Sequence, residues 1–128
     1  MAIHQEIHFN CNVQSIFAAL TLSDKFSAFS DAPAHIAAEA GGAFSCFGGL
    51  ITGITLELIP NVRLVQAWRV ANWDEGIYSV VRFEFEETGA SEAKIVFDHT
   101  AYPAEHEEHL SSGWHAQYWD RMKSYLGS

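Results

Sequence analysis

His4, Glu6 and His8 fall at alternate positions, so an extended backbone places two imidazoles and a carboxylate on one face. Those groups are zinc-ligating chemistry. No fourth ligand stands at a matching spacing, and the preferred reading is the polar outer face of an N-terminal strand. His106-Glu107-Glu108-His109 invites comparison with a metalloprotease helix. That chemistry needs His-Glu-x-x-His, with the histidines four apart and the glutamate as base. Here they are three apart, which suits a solvated first helical turn. Cys46 lies between Phe44 and Phe47 with no base nearby in sequence, and a thiol so placed is inert packing. Ser111 and Ser112 belong to no Gly-x-Ser-x-Gly elbow, and no phosphate loop occurs. No catalytic residue, metal or cofactor is assigned.

His99 is the titratable group of most interest. On a regular strand it shares a face with Ile95, Phe97 and Ala101. If that face is the inner one, the imidazole points at the C-terminal helix, where it would contact a ligand or move a proton. The plainer reading is a histidine satisfied by a carbonyl or a water, and it is favoured. Trp68, Phe83, Phe85, Phe97, Trp114 and Tyr118 make an aromatic-rich interior beside it. Aromatics fill cores and also line ligand pockets. These six and His99 form the candidate ligand-binding set.

Alternation and turn residues define the elements that hold this set. Residues 3–9 read as a half-buried strand with Ile3, Gln5, Ile7 and Phe9 on one face. Asn12 caps a short helix, and a second runs from Ser23 or Asp24 to the Asp31-Ala32-Pro33 stop. Strands follow at 35–40, 43–47, 50–59, 62–70, 77–86 and about 92–102, with turns at Gly41-Gly42, Gly48-Gly49, Pro60-Asn61 and Thr88-Gly89. In the third of these, Ile54, Leu56 and Leu58 oppose Thr55 and Glu57. Residues 71–76 form a loop carrying Trp73.

After Pro103 the period changes. Glu105, Glu107 and Glu108 open a helix at its positive end, and Leu110, Trp114, Tyr118, Met122 and Leu126 recur every fourth residue. Trp119 and Tyr125 widen that stripe. Gly113 inside it costs about 1 kcal/mol against alanine, which points either to a close approach there by a strand or by the Trp73 loop or to relief of crowding by Trp114. An exposed Trp73 or Trp119 would offer a dimer contact, although the sequence assigns no oligomeric state. The fold expected is α+β: an antiparallel sheet of about six strands curved around a long C-terminal helix, with two short helices after the first strand.

The chain has 128 residues and a net charge of −9, from 16 acids against 7 lysines and arginines. One domain spanning 1–128 is expected. The scattered bases form no stripe, so nucleic acid and anionic membranes are excluded as partners. No run approaches the ~20 apolar residues of a membrane span. The N-terminal residues lack the basic and apolar regions of a signal peptide. Two cysteines in no metal or redox spacing fit a cytoplasmic protein with reduced thiols.

An ordered set of positions carries a resemblance. Asp31-Ala32-Pro33-Ala34, Gly41-Gly42-Ala43-Phe44, Gly53, Ile59-Pro60, Trp68-Arg69, Trp73 and Glu75-Gly76 are followed by Pro103-Ala104, Glu107-Glu108, Gly113-Trp114 and Tyr118-Trp119. In this order and near-spacing they resemble the C-terminal domain of the activator of the heat-shock-protein-90 ATPase, over almost the whole chain. The resemblance implies the helix-grip fold of the START and birch-allergen-like (SRPBCC) superfamily. It also implies a chaperone as a partner. The eukaryotic co-chaperone carries an N-terminal domain as well, for which 128 residues leave no room. The leading expectation is a non-enzymatic module holding a small hydrophobic ligand between sheet and helix. Its alternatives are a co-chaperone-like interaction protein and an enzyme acting on an apolar substrate through His99.

Overall fold

A computed structural model describes residues 2–127. β1 (Ala2–Phe9) is followed by α1 (Val13–Thr21) and α2 (Ser23–Ser30). Then come β2 (His35–Ile36), β3 (Ala43–Cys46), β4 (Ile51–Ile59), β5 (Arg63–Val70), β6 (Ser79–Gly89) and β7 (Glu92–Thr100). The C-terminal helix has four consecutive parts. These are a 3-10 turn at Ala104–His106, α3 (Glu107–Gly113), a π-helical stretch at Trp114–Trp119, and α4 (Asp120–Leu126). The strands form one antiparallel sheet in the order β1-β7-β6-β5-β4-β3-β2.

This is the expected α+β helix-grip architecture, with seven strands because residues 35–36 pair briefly with β3. The strand expected at 35–40 ends there. Residues 37–42 turn instead, with Gly42 N donating to Glu39 O and Gly41 at φ 85°. Asn12 caps α1 as its type demands: its Oδ1 accepts from the Ser15 backbone N–H at 2.9 Å. Ser23 does not cap α2. Its hydroxyl accepts from Ile36 N at 2.8 Å and ties β2 to the helix.

The inner sheet face is read directly from the register. Leu64, Phe83, Phe97 and Gln5 form one row, and Gln66, Val81, His99 and Ile3 the next. β4 departs from simple alternation. Up to Leu56 it alternates with Thr55 buried and Ile54 and Leu56 exposed, and a bulge between Thr55 and Glu57 then shifts the pairing so that Leu58 falls opposite buried Leu64. Gly53 sits where a Cβ would lie 1.9 Å from Ala67 O and 2.6 Å from the Phe44 ring, so only glycine fits beneath that ring.

The every-fourth-residue stripe sets a geometric problem for the C-terminal helix. At 3.6 residues per turn each four-residue step drifts by about 40°, so an unbroken α-helix would carry the stripe off the sheet. The looser π stretch absorbs the drift and turns Trp114, Tyr118 and Trp119 inward together. Met122 beyond it is fully buried, whereas Tyr125 is exposed and adds nothing to the stripe. Trp73 and Trp119 are both buried, so neither offers the dimer contact that exposure would have given.

Gln5 fixes the helix to the sheet. Its Oε1 accepts from Trp119 Nε1 at 2.7 Å, and its Nε2 donates to Ser111 O at 3.1 Å. Arg121 donates to Ser30 O at 2.5 Å and joins α4 to the end of α2. Replacing Gln5 with leucine would keep the side-chain bulk but strand the buried indole N–H. A loss of about 1–3 kcal/mol in denaturant-unfolding free energy is expected, with the slope against denaturant unchanged.

Candidate functional site

Where the first half of the C-terminal helix crosses β4 and β5, the sheet and helix part to leave a half-open cleft of about 290 Å³. Trp68 and Val70 come from β5, and Ile51 from β4. Phe47, Leu50, Asn72 and Trp73 come from loops, and His106, His109, Leu110, Gly113, Trp114, Gln117 and Tyr118 from the helix. Six of these side chains are rings in unbroken succession. Phe47 meets Tyr118 at 5.5 Å between centroids, Tyr118 meets Trp114 at 4.2 Å, and Trp114 meets Trp68 at 5.1 Å. Trp68 meets Trp73 at 5.8 Å, and Trp73 lies nearly parallel to His106 at 6.3 Å and 6°. The Trp73 loop is held from beneath. Arg69 donates to Trp73 O at 2.6 Å and to Asp74 O at 3.3 Å while lying over the Tyr78 ring.

Of the candidate ligand set, Trp68, Trp114 and Tyr118 line this cleft. Phe83, Phe85, Phe97 and His99 are buried in the core away from it. His99 does face the helix, but Trp114 covers it. The Trp114 indole N–H donates to His99 Nδ1 at 3.0 Å, and His99 Nε2 lies 2.7 Å from Ser79 Oγ. Ser79 in turn donates to Trp68 O at 3.1 Å. An indole nitrogen only donates, so Nδ1 must be bare. The hydroxyl's one proton goes to the carbonyl, so Nε2 must carry the other proton and donate it. One neutral tautomer satisfies every group. A second proton would face the indole N–H, and burial alone pushes the imidazole down to about 3.

The other chemical candidates resolve locally. His4 Nδ1 lies 2.7 Å from Asp98 and its Nε2 lies 3.1 Å from Glu6, while Lys94 reaches Glu6 at 3.1 Å. The Asp98 and Glu6 hydrogen bonds raise the His4 pKa, so His4 and Glu6 belong to an ion-pair ladder on the outer face. Cys46 is buried, and burial pushes its thiol up to about 12. It therefore stays a neutral thiol. Glu107 accepts from the Tyr102 hydroxyl. The arrangement suits binding: neutral rings, a polar rim, and a buried His99–Ser79 pair already committed to its neighbours.

Sequence reasoning passed over His106 and His109 as a solvated helix start, yet both border the cleft. One expectation for Gly113 was a close neighbour. Instead a Cβ there would meet nothing within 4 Å, because that side of the helix opens into the cleft. The signal was present in a glycine within a strongly patterned helix, one residue before a tryptophan.

The depressed pKa of His99 makes stability pH-dependent. Between its ordinary 6.5 and about 3 the unfolded chain binds a proton that the folded chain refuses, so stability falls as pH falls through this window. At pH 4.5 the loss is about 2–3 kcal/mol relative to pH 7. His99→Gln cannot titrate. Urea unfolding from pH 7 to 4.5 should show a shallower decline for that variant than for the parent, and equal slopes would contradict the assignment.

Comparison with known proteins adds a family. The family model described as Activator of Hsp90 ATPase homolog 1-like protein matches residues 10–127. The mouse activator of 90 kDa heat shock protein ATPase homolog 2 is 29% identical over 126 residues, covering 98% of this chain and 38% of the mouse protein. The activator homolog of Dictyostelium discoideum is 30% identical over 115 residues, covering 90% of this chain and 30% of that protein. The chain thus spans between 30% and 38% of the length of these relatives. The crystal structure of an HSP90 activator from Plasmodium falciparum superposes with a TM-score of 0.93 at 24% identity, covering 99% of this chain and 96% of that one. That likeness extends to the fold. With the family model covering nearly every residue, the chain belongs to the Activator of Hsp90 ATPase homolog 1-like family.

Proposed function

We propose that this chain is a non-enzymatic binding module whose cleft between sheet and C-terminal helix takes a small apolar ligand. The observation that carries the reading is the succession of rings from Phe47 to His106 around about 290 Å³ of space. Small-molecule sites run from roughly 300 to 1,000 Å³, are mostly apolar, and carry a few polar groups at fixed places. The cleft lies at the bottom of that size range. Of the seven residues picked from sequence, Trp68, Trp114 and Tyr118 are the ones this reading keeps as contacts. His99, Phe83 and Phe97 pack against Trp114 from behind, and Phe85 lies deeper in the core against Phe17.

A second reading is favoured by the relatives, which are named as activators of the 90 kDa heat shock protein ATPase. On this reading the chain docks on such a chaperone and changes its ATPase rate. A cytoplasmic setting goes with both readings. Among the described residues no helix is long and apolar enough to cross a membrane.

Two measurements separate these. A thermal-shift screen of small apolar compounds should raise the melting temperature of the parent and not of a Gly113→Leu variant, whose side chain would occupy the cleft. A parent stabilised by none of them at saturating concentration would overturn the ligand reading. For the second, purified chaperone of the 90 kDa class should bind the chain or show altered ATP turnover with it. No binding and no change at tens of micromolar would overturn it.

A further inference from the structure

Resting on the reading of the cleft as a ligand site, we propose that its ligand is a neutral, flat aromatic molecule of one or two rings bearing a hydrogen-bond acceptor, seated against the bare helix backbone at Gly113. Size sets the first limit. About 290 Å³, at roughly 30 Å³ for each water-sized group, holds about ten non-hydrogen atoms. A fused pair of rings is held whole in that space, whereas a long acyl chain would leave most of its length outside the half-open mouth.

Shape sets the second. Trp68 and Trp114 present rings tilted by 32° to each other, and Trp73 and His106 are parallel within 6°. These walls are held in place. Trp114 is pinned by its bond to His99, and the Trp73 carbonyl accepts from Arg69. Rigid ring faces select a rigid flat guest over a flexible chain, which must give up its rotamers to enter.

Gly113 supplies an independent argument. Its φ of −62° and ψ of −37° are ordinary helix, so no special backbone conformation asks for glycine. No neighbour crowds the missing Cβ either. Glycine weakens a helix interior, so its presence at a cleft-lining position is explained by room for something brought against the backbone. A ring edge is thin enough to use that notch.

The lining also fixes the charge. Asn72, His106, His109 and Gln117 offer side-chain N–H donors, and Asn72, His109 and Gln117 are exposed. Aspartate, glutamate, lysine and arginine are all absent from the lining among the described residues. A cationic guest would therefore find no carboxylate in the wall to pair with directly. An anionic guest would meet Glu105, Glu107 and Glu108 on the same stretch of helix and a net charge of −9. A neutral acceptor, such as a ring carbonyl, matches the donors without either conflict.

Four probes test the class by calorimetric titration of the whole chain: coumarin, naphthalene, octan-2-one and coumarin-3-carboxylate. Coumarin should bind at least tenfold more tightly than octan-2-one or the carboxylate. His109→Ala combined with Gln117→Ala should weaken coumarin severalfold and leave naphthalene unchanged. Gly113→Ala should raise the melting temperature while weakening coumarin, a split that a merely structural glycine would not give. If octan-2-one binds as tightly as coumarin and Gly113→Leu blocks both, the cleft is a ligand site but the aromatic assignment is wrong. If no probe binds the parent, the assignment and the ligand reading beneath it fail together.

Discussion

The bond from the Trp114 indole to His99 joins the two halves of this molecule. On one side it continues through Ser79 to the Trp68 carbonyl, so a single relay links helix, β7, β6 and β5. On the other side the same indole is a wall of the cleft. Helix docking and cleft shape therefore cannot vary independently. An imidazole at this depth is tolerated because every polar atom in the relay has a partner and none carries charge. The hydrophobic contribution is larger in sum but unspecific. What selects this seating of the helix is the need to give one indole proton and one imidazole nitrogen their partners.

That specificity works together with the π stretch. Trp114, Tyr118 and Trp119 belong to one inward surface, and an ideal α-helix would spread them over about 140° of arc. The helix loosens where its side chains are largest. Gln5 then accepts the Trp119 indole proton from β1. Two tryptophans five residues apart are thus hydrogen-bonded to two different strands, which fixes both the rotation and the axial position of the helix.

Much of this was legible in the residues. Alternation placed Ile3, Gln5, Ile7 and Phe9 on one face and predicted the alternation of β6, because a half-buried strand leaves a period of two. Asn12 announced its cap. The β4 faces were harder. Apolar Ile54, Leu56 and Leu58 suggest one inner face, but the bulge divides Leu58 from the other two, and register depends on partners that a single strand does not display. The site was only partly visible for a similar reason. Large aromatics mark burial wherever they fall, so Phe83, Phe85 and Phe97 looked equivalent to Trp68 and Trp114. What distinguishes them is where the sheet and helix diverge, and that separation is a property of the assembled layers. Leu50 and Asn72 carry no local signal because loops bring them to the cleft.

The distribution of tryptophan has an optical consequence. Trp68, Trp73 and Trp114 border the cleft, whereas Trp119 is buried between helix and sheet and bonded to Gln5. Emission from the first three would respond to whatever enters between them, while Trp119, stacked on Trp114 at 5.7 Å, would sense it only through that neighbour. The chain therefore carries its own fluorophores at the place where occupancy matters, and a guest can be followed by light without a label.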